Sequence, residues 1–88
     1  MKMIIVTVPD VDEKAVTTAL IAENYRVTRI ASTGSFWRSG TSTLFFGVED
    51  EKVEEAIQLV QTNVTPAIEP GQPRGSLFVI NVEHFEQI

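Results

Sequence analysis

Three short segments of this chain are apolar on both of their alternating faces, so whatever sheet they build has two surfaces to cover. In Met3–Val8, Ile4, Val6 and Val8 point one way while Met3 and Ile5 point the other. In Thr43–Val48, Leu44, Phe46 and Val48 oppose Phe45; in Leu77–Val82, Phe78, Ile80 and Val82 oppose Leu77 and Val79. Short runs rich in β-branched and aromatic residues read as strands, whose side chains alternate between faces. An antiparallel sheet with one wet face alternates apolar with polar residues. These segments do not.

The intervening residues supply the rest of the pattern. Pro9 ends the first strand. Asp10 and Glu13 have capping-box-like spacing, with Asp in place of the usual hydroxyl residue. A helix is predicted from there to about Asn24, with Val16, Ala19 and Leu20 as its apolar stripe. Arg26–Ala31 reads as a second strand. Asp50 is predicted to cap a second helix, in which Val53, Ala56, Ile57 and Val60 fall at helical spacing. Asn63–Ser76 holds Pro66, Pro70, Pro73, Gly71 and Gly75 and reads as a loop. The order β-α-β-β-α-β is the ferredoxin-like α+β pattern. It predicts a four-stranded antiparallel sheet with two helices on one face, in a single domain spanning residues 1–88. Two helices cover one face only, so the second apolar face is expected to pack against other copies of the chain.

Charge is unevenly placed. The chain has a formal net charge of -5 and a pI near 4.7. Yet Tyr25–Val48 contains no Asp or Glu and carries Arg26, Arg29 and Arg38. An acidic chain without a broad basic face argues against a nucleic-acid polymer as partner. There is no cysteine, hence no disulfide or thiolate chemistry. No apolar run approaches the roughly 20 residues that cross a bilayer. The N-terminus lacks the features of a signal peptide. A cytoplasmic protein with no membrane partner is expected. The acidic group Glu49, Asp50, Glu51, Glu54 and Glu55 surrounds a helix start, where negative charge favours the helix dipole. It reads as a solvated face, not a metal site. His84, the one histidine, reads as structural.

The cationic stretch is where binding chemistry concentrates. Thr33, Gly34 and Ser35 can bring backbone N–H groups close to a phosphate, or form a plain hairpin loop. Arg26 can donate a forked pair of hydrogen bonds to phosphate, or pair with a helix carboxylate at the surface. Thr28 lies two residues further along the same face. Phe36 and Trp37 offer flat surfaces for a base, or a plug for a subunit interface. Arg38 aims at phosphate or stays solvated. Thr41 offers a hydroxyl. Gly47, within a strand of large residues, marks either a bulge or a close approach of ligand. Together these groups suit a small anionic ligand bearing a flat ring, for which a nucleotide is the natural candidate. No cofactor is expected. An enzyme such as an acyl-phosphate hydrolase would need an anion cradle, whereas the first strand-to-helix turn, Val8-Pro9-Asp10-Val11-Asp12, is acidic and no nucleophile–base pair is evident.

The opening Met1–Ile5, the segment Asn24–Thr28, the loop Ser32–Gly40 and the closing Phe78–Phe85 resemble the PII-like cyclic di-AMP receptors. The most specific element is Arg26-x-Thr28 followed by Thr33-Gly34-x-Phe36-x-Arg38-x-Gly40. The resemblance implies a homotrimer of ferredoxin-like subunits that binds cyclic di-AMP in clefts between neighbours. It also implies signalling to a protein partner, and no catalysis. The chain departs from the family pattern at Ser35, at Thr41 and in the short Asn63–Ser76 loop. A trimeric structural or interaction module without nucleotide binding is the alternative.

Overall fold

A computed structural model describes residues 1–31, 40–66, 71 and 74–88. Its elements are β1 (Lys2–Pro9), α1 (Asp10–Ala22), β2 (Thr28–Ala31), β3 (Thr41–Val48), a short 3-10 turn (Asp50–Lys52), α2 (Val53–Thr62) and β4 (Ser76–Asn81). The four strands form one antiparallel sheet in the order β2-β3-β1-β4. This is the predicted ferredoxin-like arrangement.

Register explains the two-faced pattern. Ile4 lies opposite Phe46 and Val79, and Val6 lies opposite Leu44 and Leu77. That face meets the helices. Ile4, Val6, Val8, Leu44, Phe46 and Val48 are buried there with Val16 and Leu20 of α1 and Ala56 and Val60 of α2. Each large side chain in this layer contributes roughly 1.5–3 kcal/mol by leaving water. The opposite face carries Met3, Ile5, Phe45, Phe78 and Ile80. Here Ile5 lies between Phe45 and Phe78, and Met3 lies between Gly47 and Ile80. No helix covers these residues, and Phe78 is 57% exposed. The β4 edge is bare on both sides, since Val79 on the helix side is also exposed.

Several boundaries differ from the sequence reading, each for a local reason. β2 begins at Thr28 rather than Arg26. The preceding residues belong to the helix exit instead: the Tyr25 N–H donates to the Leu20 carbonyl, and its ring lies 5.4 Å from that of Phe46. Burial pushes the Tyr25 phenol above its ordinary range, with the Glu55 charge adding to the effect. α1 ends at Ala22, and Asn24 takes the left-handed conformation (φ 71°) that often follows a helix. Asp10 is the first helical residue, not a cap: Pro9 precedes the helix, and no side chain caps it. The capping-box spacing has another use, described below. Asp50 likewise does not cap α2; it sits in the 3-10 turn and pairs with the amino group of Met1 at 3.0 Å. That contact holds its carboxyl below the ordinary range.

Thr65, after α2, and Arg74, before β4, are tied to each other and to α1. Thr65 Oγ1 donates to Asp12 Oδ1 at 2.5 Å, Arg74 Nε donates to the Thr65 carbonyl at 3.0 Å, and Arg74 Nη2 lies 3.7 Å from Asp12 Oδ2. Asp12 is buried. Gly75 then passes so close to Thr7 that a Cβ would overlap the Thr7 carbonyl. The Ser76 N–H donates to Thr7 Oγ1 at 2.9 Å, which starts β4.

Candidate functional site

Strand alternation decides where the candidate binding residues fall. Thr28 pairs with Phe45, Thr41 with Pro9 and Gly47 with Met3. All three therefore sit on the sheet face that the helices leave open. Thr28 is exposed, and Thr41 and Gly47 are half-buried. Arg26 is exposed, two residues before β2, and forms no ion pair among the described residues. Thr33, Gly34, Ser35, Phe36, Trp37 and Arg38 lie outside the described residues.

The open face carries Thr28, Thr41 and Gly47 without placing them all together. Thr28 lies across from the middle of β3. Thr41 and Gly47 sit at opposite ends of that strand, six residues and so about 20 Å apart. A ligand touching both would have to lie along the strand. Gly47 is not a bulge. Its pairing with Met3 is regular, and the irregularity of the sheet lies in β2, between Arg29 and Ala31. What glycine permits at this position is close approach: a Cβ there would come 2.6 Å from Met1 Cε, so the Met1 thioether rests directly over it.

Arg29 has a different fate from Arg26. It falls on the helix side of the sheet and pairs with Glu13, Nη1 to Oε2 at 3.0 Å. The charge pattern of the sequence counted Arg29 with the cationic stretch, but the partner comes from a helix sixteen residues earlier. Only the path of the chain shows that this charge is spent. His84 pairs with Glu86 at the exposed C-terminal end.

A cavity of about 420 Å³ opens on the other side of the molecule, between the end of α2, the end of β1 and the start of β4. Val6, Val8, Val60, Val64 and Leu77 make its apolar wall, and Arg74 is the one cation lining it among the described residues. That cation is already paired with buried Asp12. Among the described residues the cavity is lined by none of the binding candidates singled out in the sequence, and its cation is already neutralised. It therefore suits a dianionic ligand poorly despite a volume within the range of small-molecule sites. Among the described residues no cluster of metal-ligating side chains is present, and no helix is long and apolar enough to cross a membrane.

A solved structure from Pediococcus pentosaceus ATCC 25745, described as a functionally unknown protein, is 26% identical to this chain. It superposes with a TM-score of 0.77 over 99% of this chain and 96% of its own. The family model of the cyclic-di-AMP receptor matches residues 1–69. That span includes every candidate residue from Arg26 to Gly47, and it bears out the resemblance read from the loop and its flanking strands. This chain belongs to the cyclic-di-AMP receptor family.

Proposed function

We propose that this protein is a PII-like signal-transduction protein that binds cyclic di-AMP in clefts between the subunits of a homotrimer and relays occupancy to a protein partner. The observation that carries the reading is the family match across residues 1–69, which contains the whole Arg26–Gly47 region. The structure supports it in two ways. Arg26 is exposed and without an ion-pair partner among the described residues, as a phosphate-binding guanidinium needs to be. The open sheet face presents Thr28, Thr41 and Gly47 beside an apolar surface that a neighbouring subunit would cover. The role is binding, not catalysis.

Isothermal titration with cyclic di-AMP, cyclic di-GMP, ATP and AMP tests it. Saturable heat is expected with cyclic di-AMP. Arg26→Ala is expected to weaken that binding about 10- to 100-fold, the loss of a hydrogen bond to a charged group worth roughly 1.5–3 kcal/mol. Absence of heat with all four nucleotides would overturn the nucleotide reading and favour the trimeric interaction module. Unchanged affinity in Arg26→Ala would remove that residue from the site.

A further inference from the structure

The first turn of α1 carries a polar network that the receptor reading does not use. Ser42 is fully buried, yet its hydroxyl meets two carboxylates: Oγ lies 2.5 Å from Asp10 Oδ1 and 2.9 Å from Glu13 Oε1. A serine hydroxyl has one hydrogen to donate. Two negative groups therefore share it, and the arrangement needs a nearby positive charge. Arg29 supplies one, with Nη1 at 3.2 Å from Glu13 Oε1 and 3.0 Å from Oε2. The Asp10 N–H also donates to the Gly40 carbonyl at 2.7 Å, where Gly40 holds φ 79°.

The placement of this network gives it a second meaning. Arg29 directly follows Thr28, and Ser42 directly follows Thr41. Alternation sends Arg29 and Ser42 to the helix side while Thr28 and Thr41 go to the open side. The network thus grips, from behind, the two strand positions whose neighbours face the candidate ligand surface. It does so where the ladder is irregular, because the pairing of β2 with β3 shifts register between Arg29 and Ala31. A bulged ladder alone does not fix the spacing of its two strands. A helix turn bonded to both of them does.

We propose that Asp10, Glu13, Arg29 and Ser42 are positioning residues that set the spacing of Thr28 and Thr41 across the sheet, and so the affinity for cyclic di-AMP. The proposal rests on the nucleotide reading given above. None of the four touches the ligand in this scheme. Loosening the network lowers the fraction of molecules with the two threonines in place, and apparent affinity falls by that fraction. The loss then appears in the association rate, with dissociation little changed.

The test compares Arg29→Gln and Ser42→Ala with the unmodified full chain, by titration and stopped-flow binding of cyclic di-AMP and by amide hydrogen exchange. Each variant is expected to raise Kd about fivefold or more through slower association. Amides of Thr28, Arg29 and Thr41–Thr43 are expected to exchange faster while those of Ile4 and Phe46 keep their protection. Arg29 is exposed, so Arg29→Gln carries the test if the buried Ser42→Ala fails to fold. Arg29→Lys keeps the charge near Glu13 and is expected to recover most of the affinity. Faster exchange with unchanged Kd, or a raised Kd with all amides loosened alike, overturns the positioning role. Absence of heat with the unmodified chain overturns the nucleotide reading and the affinity claim with it. The exchange pattern then decides separately whether the network holds the two strands.

Discussion

Phe78→Asp is expected to give folded single subunits that no longer bind cyclic di-AMP. Phe78 sits on the open face, across from Ile5, and is 57% exposed in the isolated chain. A carboxylate there changes little within one subunit, since substitutions at exposed positions usually stay within about 0.5 kcal/mol. If that face packs against another copy, the same carboxylate enters an apolar contact. Burying an uncompensated polar group costs roughly 2–7 kcal/mol, repeated at every contact of a closed ring. Light scattering coupled to size-exclusion chromatography should therefore show the variant at the mass of one 9.8 kDa chain. Circular dichroism should remain that of the parent. An unmodified protein that is itself monomeric would sink the trimer. A variant that stays assembled would move the interface to another surface.

The largest effect on stability is expected from Gly75→Ala. A methyl group there would occupy the space of the Thr7 carbonyl, and backbone on both sides must shift to admit it. Overpacking of this kind typically costs 1–3 kcal/mol and occasionally more. The upper end applies here because the obstacle is main chain rather than a flexible side chain. A loss of about 3 kcal/mol corresponds to a melting temperature lower by roughly 10–25 °C in a domain of this length. The Ser76–Thr7 hydrogen bond that starts β4 should fail with it. A thermal melt within a few degrees of the parent would show that Gly75 has room to move.

Much of the fold was legible because its strands are apolar on both faces. The period of two in Ile4, Val6 and Val8 and in Leu44, Phe46 and Val48 identifies the buried layer residue by residue. The leftover apolar set, Met3, Ile5, Phe45, Phe78 and Ile80, locates the uncovered face. Polar residues misled where a local rule competed with a distant partner. Asp10 and Glu13 have the spacing of a helix cap, but Ser42 and Arg29 arrive from other strands and take their oxygens. Asp50 is drawn off in the same way by the Met1 amino group. Arg26 and Val27 read as strand, but the Tyr25 N–H bond to Leu20 and the ring's contact with Phe46 make that segment a helix exit. The cavity beside Arg74 had no sequence signal, since it depends on how far α2 stands from the sheet edge. The candidate site is legible in part. Arg26, Thr28, Thr41 and Gly47 have a placement, and the common face of the last three follows from parity alone.

β1 lies between β3 and β4, so residues 2–7 must find residues 76–81 before the centre of the sheet is closed. Contacts so distant along the chain carry the entropy of a large loop and are slow to form. During synthesis β1 emerges early and has no strand on its β4 side until almost the whole domain has followed. A nascent chain with that bare, valine- and isoleucine-rich edge is the form most exposed to misassembly with other chains.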